Sequence, residues 1–158
     1  MSEPMPQRET RGPQLVAPFP FLAHLAAMLL LHVALPIGQW NVGASRWWGL
    51  PPAVAGLLLV VVAAGRFHRR STTLRPYAEP RELVTDGLHR YSRNPMYLGL
   101  LLSLAGAWVM LGTISPGLVI PPFYLLIRYR YVAHEERVMR ERFGDAFRAY
   151  ERRVRRWL

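Results

Sequence analysis

Residues 90–99 read Arg90-Tyr91-Ser92-Arg93-Asn94-Pro95-Met96-Tyr97-Leu98-Gly99, and from Met96 through Ile127 the chain carries no formal charge. Asn94-Pro95 predicts a helix start. Asn can cap free backbone N–H groups, and Pro fits the first helical position because its missing N–H would be unpaired there anyway. Gly112-Thr113-Ile114-Ser115-Pro116-Gly117 interrupts the apolar stretch with the residues of a tight turn. The stretch is therefore expected to fold back as a helical hairpin. That fold returns the adjacent acids Glu135 and Glu136 toward the helix start at Asn94. The N–H groups and dipole of a helix start favour an anion, whereas an acidic pair favours a cation. A ligand carrying both charges would suit such a place.

Outside the hairpin, Phe19–Ile37 and Trp47–Ala64 are two more charge-free stretches. At about 1.5 Å per residue each is long enough to cross roughly 30 Å of hydrocarbon. The 158 residues are 51% hydrophobic yet include 20 basic side chains, all Arg, against 10 acids, so charge and hydrophobicity must be segregated. The expected architecture is an all-α integral membrane protein with about four transmembrane helices, the last two forming the hairpin, and amphipathic cytosolic helices at the C-terminus. Residues 1–17 read as a flexible lead, 18–64 as two spans, and 65–158 as the region that holds the chemistry. Irregular backbone between spans, as in 65–94, needs water or protein partners and so lies outside lipid.

The Arg distribution orients this arrangement. Seven lie in 65–94 and ten from Arg128 onward, with none in 112–117. By the positive-inside rule both termini and the 65–94 loop are cytoplasmic. The net charge of +10 would suit nucleic acid in a soluble protein, but its placement beside apolar spans fits membrane orientation and anionic lipid. The chain has no Cys, which excludes disulfides and thiolate catalysis. No His, Asp or Glu spacing supports a metal site. His24 and His32, eight apart in the first span, read as polar contacts between helices, and His68 as interfacial. No cleavable signal peptide is evident, and the expected location is a bacterial inner membrane. After Glu136, Val138, Phe143, Phe147, Tyr150, Val154 and Trp157 recur every three to five residues with Arg between them. Gly144-Asp145 marks a break and a new cap. One or two amphipathic helices follow, lying on the membrane face or packed on the domain's own core.

The pattern Leu83-Val84-Thr85-x-Gly87-x-His89-Arg90-x-x-Arg93-Asn94-Pro95-x-Tyr97-x-Gly99, then Glu135-Glu136 and Phe143-Gly144-x-x-Phe147-x-x-Tyr150, resembles the isoprenylcysteine carboxyl methyltransferase family and its bacterial and phospholipid-methylating relatives. The resemblance covers roughly residues 65–158. Where the prenylcysteine enzymes usually show Tyr after Gly-x and Arg-His-Pro at the helix start, this chain has His89 and Arg93-Asn94-Pro95, closer to the phospholipid-type and bacterial members. Those enzymes also place an Arg four residues before the matched Glu, where this chain has Tyr131, which argues against prenylcysteine as the acceptor.

The resemblance implies S-adenosylmethionine as cofactor, a zwitterion of the kind the helix start and acidic pair suit. It would be held by Arg81, Glu82, Leu83, Val84, His89, Asn94, Pro95, Met96, Tyr97 and Glu135. Asn94 can donate to a carboxylate or cap its own helix, Tyr97 and His89 can face adenine or the sulfonium, and Glu135 can pair with an ammonium or ribose hydroxyls. Arg130, His134 and Glu136 are the candidate catalytic residues: Arg130, or Arg128, to position an acceptor carboxylate, and His134 or a carboxylate to take a proton from an amine. For the acidic pair, salt bridging to Arg130, Arg137 or Arg140 is the bland reading. Methyl transfer to a lipid or lipid-like acceptor at the cytosolic face is the expected function, with the bilayer and a lipophilic small molecule as partners and no nucleic acid. A non-enzymatic scaffold binding anionic lipid is the alternative. A small four-span transporter is weaker, because no acid lies inside any proposed span.

Overall fold

The computed structural model describes residues 18–40, 43–69 and 82–158. The expected lead 1–17, Arg81 and the central part of the 65–94 loop lie outside the described residues. The described chain is all-helical: α1 (Pro18–Ala34), α2 (Leu50–Arg69), α3 (Pro95–Leu111), α4 (Ile120–Leu126) and α5 (Ala133–Arg153). A π-helical turn, Ile127–Val132, joins α4 to α5 without interruption. A 3-10 turn, Gly43–Gly49, leads into α2. The first apolar stretch stops being helical three residues before Ile37, because Pro36 disfavours helical backbone at Leu35.

The hairpin turn is longer than Gly112–Gly117. Gly112 ends α3 in the left-handed conformation (φ 72°), and a 3-10 turn runs on to Val119. The segment after α1 pairs with this turn. Gln39 and Thr113 form an isolated antiparallel bridge, Trp40 N donates to Gly112 O at 3.1 Å, and Ile114 N to Ile37 O at 3.0 Å. Ser115 Oγ donates to Leu35 O at 2.5 Å, and His32 Nδ1 is hydrogen-bonded with Thr113 Oγ1 at 2.8 Å. One end of α1 is thus fastened to the hairpin by groups that would otherwise lack partners in an apolar setting.

α2 and α3 meet with almost no side chain between them. A Cβ on Gly99 would lie 2.6 Å from the Gly56 carbonyl oxygen, and one on Gly106 would lie 2.6 Å from that of Gly49. Ser103 sits midway and donates to Gly99 O at 2.9 Å. Small residues let backbones approach where lipid offers no hydrophobic drive for association. On the other flank of α3, Tyr97, Leu100 and Leu104 pack with Met28 of α1, Val119, Phe123 of α4, and Ile127, Tyr131 and Val132 of the π turn. Outward, the helices stay apolar: Leu22, Leu29, Leu30 and Val33 of α1 and Val54, Leu57, Leu58, Val61 and Val62 of α2 are exposed. A helix apolar all round is suited to lipid. By length and composition one helical segment, Gly43–Gly65, can cross a membrane, while Phe19–Ala34 and Pro95–Leu111 are shorter apolar helices.

Pro121-Pro122 occupies the first turn of α4, where missing N–H groups remove no helical bond. The second arm continues beyond the apolar stretch, through the π turn and into α5. Inside α5, Gly144 breaks the helix with φ 49° and ψ −119°, at the Gly144-Asp145 position. Phe147, Tyr150 and Val154 turn inward against Leu83, Met139 and Phe143, so the apolar side of α5 is covered by the chain itself.

Candidate functional site

Gly87 (φ 55°) opens a 3-10 turn, Gly87–Arg90, that delivers the chain to α3. His89 on this turn is buried, its amide donates to Asp86 O at 3.1 Å, and its carbonyl accepts from Tyr150 Oη at 2.7 Å. Burial pushes the Tyr150 phenol up to about 12, so it remains a donor. Asn94 stands at the N-cap position but makes no side-chain cap. Its Nδ2 donates instead to the Arg156 carbonyl at 3.1 Å, and its amide to Ser92 Oγ at 3.2 Å. The expected capping role is thereby corrected: the C-terminal backbone competes successfully for the Asn side chain. α3 begins with no side-chain cap, and a helix start carries a positive potential.

Arg93 uses its guanidinium to fasten the C-terminal segment. Nη1 donates to the carbonyls of Glu151 and Val154, both at 3.1 Å, while Nε and Nη2 donate to Glu136 Oε1 at 3.1 and 2.8 Å. The Arg93 amide donates to Arg155 O at 3.0 Å. Glu136, 3% exposed, also accepts from Arg156 Nε at 3.1 Å, Arg156 Nη2 at 2.5 Å and Arg140 Nη2 at 3.4 Å. Arg140 in turn pairs with Glu151, whose carboxyl is held below its ordinary range chiefly by that hydrogen bond. Glu136 is committed to three arginines from α3's approach, α5 and the tail. Of the arginines suggested as salt-bridge partners, Arg140 takes that role.

Glu135 points elsewhere. One residue along a helix is about 100° around it, and that rotation sends Glu135 to Tyr97, whose hydroxyl donates to Oε1 at 2.5 Å. Tyr97 is buried, its ring 6.2 Å from that of Tyr131. Burial pushes the Glu135 carboxyl up to about 7, with the Tyr97 hydrogen bond opposing and the Glu136 charge reinforcing. A group balanced between charged and neutral near pH 7 beside a phenol is equipped to meet a cation or to take up a proton. His134 accepts from Arg137 Nη2 at 3.0 Å through Nδ1. Partial burial, then the charges of Arg137 and Arg130, lower its pKa, with Glu141 opposing, which favours the neutral imidazole.

The remaining candidates are spread more widely. Pro95 and Val84 are buried, Met96 and Leu83 half-buried, and Glu82 exposed. Leu83 packs on Phe147, Tyr150 and Val154. Arg130 is exposed, whereas Arg128 is half-buried and donates from Nη1 to Tyr124 Oη at 2.8 Å. The fold thus brings Asn94, Tyr97 and Glu135 to one end of the helices, next to the Arg93–Glu136 clasp. Sequence reasoning missed Arg156 and Ser92. The long-range contacts of these two span 20 to 64 residues, and no local pattern signals that.

A zwitterion fits this donor set. The uncapped start of α3 offers positive potential, and Glu135 with Tyr97 offers a negative or polar partner nearby. Residues 44–146 match the family model described as phospholipid methyltransferase. A Haemophilus influenzae protein described only as uncharacterized is 41% identical over 63 residues, all of that protein and 40% of this chain. A probable protein-S-isoprenylcysteine O-methyltransferase from Oryza sativa is 31% identical over 61% of this chain and 50% of its own length. A protein-S-isoprenylcysteine O-methyltransferase B from Arabidopsis thaliana is 29% identical over 70% of this chain and 59% of its own. The chain therefore spans only half to three-fifths of these plant relatives. No solved structure matches it.

Proposed function

We infer that the chain, which belongs to the phospholipid methyltransferase family, is an integral membrane enzyme transferring a methyl group from S-adenosylmethionine to a lipid or lipid-like acceptor at the cytosolic face. The observation that carries this reading is the Tyr97–Glu135 hydrogen bond, which joins the start of α3 to the acidic pair 38 residues later, where apolar helices give way to charged ones. The apolar outer faces of α1 and α2 and the return of Arg at residue 128 support four spans with this end toward the cytosol.

Bound S-adenosylmethionine would supply an activated methyl group. The start of α3, which has no side-chain cap, would hold its carboxylate, with Tyr97 and Glu135 near its cationic part. In-line methyl transfer needs alignment and exclusion of water more than a strong acid or base. The buried Tyr97, with Tyr131 against it, restricts water on the inner side of Glu135. For an amine acceptor Glu135, near pH 7, can hold the released proton; for a carboxylate none needs to be taken. Glu136, saturated by arginines, fixes the helix that carries Glu135.

Calorimetric titration of S-adenosylhomocysteine into the detergent-solubilised protein tests the reading. Saturable binding weakened by Glu135→Gln is expected; no saturable binding to a well-folded protein would leave the scaffold reading, which the exposed arginines of α5 would serve equally well.

A further inference from the structure

Two N–H donors lie enclosed without an acceptor beside a single tyrosine. Among the described residues, Trp157 Nε1 is buried with no hydrogen-bond partner, and so is Arg128 Nε. Tyr124 connects them: its ring is 5.5 Å from the Trp157 ring, and its hydroxyl accepts from Arg128 Nη1 at 2.8 Å. Folded proteins leave few buried donors unpaired, so two around one side chain mark a place where an acceptor belongs. Arg128 has no carboxylate partner among the described residues; its guanidinium lies 5.9 Å from the Tyr124 ring and 5.5 Å from that of Tyr129. Its charge is thus not neutralised by any described carboxylate.

Trp157 is held in this position. Its preceding residue, Arg156, is fixed by Glu136, and the Arg156 carbonyl accepts from Asn94 and Ser92. The indole therefore approaches α4 on a fastened support, at the level where α4 leaves the apolar stretch. Indole and guanidinium groups suit that depth, with apolar bodies in lipid and donors at the headgroups.

We propose that Tyr124, Arg128 and Trp157 form a seat for an oxyanion, the phosphate or carboxylate of an amphipathic lipid, which accepts from Arg128 Nε and Trp157 Nε1. Arg128 supplies the charge and Trp157 a donor with little freedom to move. Tyr131, three residues after Arg128, packs on Tyr97, the partner of Glu135, and Arg128 precedes Glu135 by seven residues on one continuous helical run, about two turns or roughly 10 Å of rise. The role of this oxyanion as part of the methyl acceptor rests on the methyltransferase reading, but its binding does not. Arg128 takes the place that sequence reasoning gave first to Arg130.

The test is calorimetric titration of the full chain in a non-ionic detergent with dihexanoyl phosphatidylglycerol, dioctanoylglycerol and sodium phosphate. Saturable binding of phosphatidylglycerol is expected, with none for dioctanoylglycerol, which lacks an oxyanion. Trp157→Phe, which keeps the ring and removes the N–H, and Arg128→Gln should each weaken it ~10-fold, the scale of one hydrogen bond to a charged group. Inorganic phosphate binding with the same sensitivity to both variants would support the seat with a soluble source. Equal affinity for dioctanoylglycerol, or unchanged phosphatidylglycerol affinity in either variant, would overturn it. S-adenosylhomocysteine titrated into the same samples reads the methyltransferase assignment separately, and thermal unfolding shows that the variants are folded.

Discussion

Two adjacent acids divide into unlike roles because a helix turns them apart. Glu135 sits where burial raises its carboxyl from the ordinary 4.5 to about 7. A folded value above the unfolded one means that the native state holds the proton more tightly. This group therefore favours the fold most below about pH 4.5, and that contribution is lost as pH rises through about 7. Glu135→Gln should be more stable than the parent at about pH 8, by roughly 1–3 kcal/mol, and nearly equal at about pH 4. Parallel unfolding curves across that range would remove the raised carboxyl from the account. A cationic ligand should bind more tightly as pH rises through 7 in the parent and show no such slope in the Gln variant. Glu136 predicts the opposite behaviour. Removing its charge takes from Arg93 and Arg156 their shortest carboxylate contacts, with Arg93 largely enclosed, so Glu136→Ala should destabilise by about 3 kcal/mol and expose the 154–158 segment to protease. A variant that loses methyl transfer while keeping full stability would make Glu136 a participant in the chemistry instead. The sequence made the acidic pair visible, but its division was hidden, because the deciding partners are Tyr97 at 38 residues' separation and arginines at 43 and 20.

Among the elements, helix positions were legible where composition alone decides them. Charge-free stretches marked α1 to α4, Asn94-Pro95 marked the start of α3, and Gly144 marked the break in α5. What composition could not convey was competition between partners. Asn94 has the right chemistry for a cap, yet the Arg156 carbonyl takes its amide group. The π turn at Ile127–Val132 was equally hidden, because no residue type demands it; it is set by how α4 and α5 dock. The α2–α3 seam gives a sharp element-level prediction. Gly99→Ala should destabilise by at least ~1–3 kcal/mol, since its Cβ would meet backbone that cannot yield. Gly65→Ala, with nothing within 4 Å of the added carbon, should be neutral or stabilising by up to about 1 kcal/mol. Thermal unfolding in one detergent measures both, and equal effects would mean that the two helices can separate freely.

For the whole molecule, the contrast between seven arginines in 65–94 and none in 112–117 predicts both termini and the 65–94 loop on the cytosolic side. Reporter fusions within residues 70–85 should give a cytosolic signal, and an extracytoplasmic one would reverse the orientation and the side from which the cofactor arrives. The glycine contacts between α2 and α3 have a bearing on traffic within the bilayer. Two backbones in direct contact leave no gap through which an acyl chain can pass, so that flank of α3 is a wall. Its other flank is lined by side chains of α1 and α4, including Met28 and Phe123, which can shift where backbone cannot. If the acceptor is a lipid, as proposed, it would have to reach Tyr97 and Glu135 from the α1–α4 side, because among the described residues the α2 side is closed backbone against backbone.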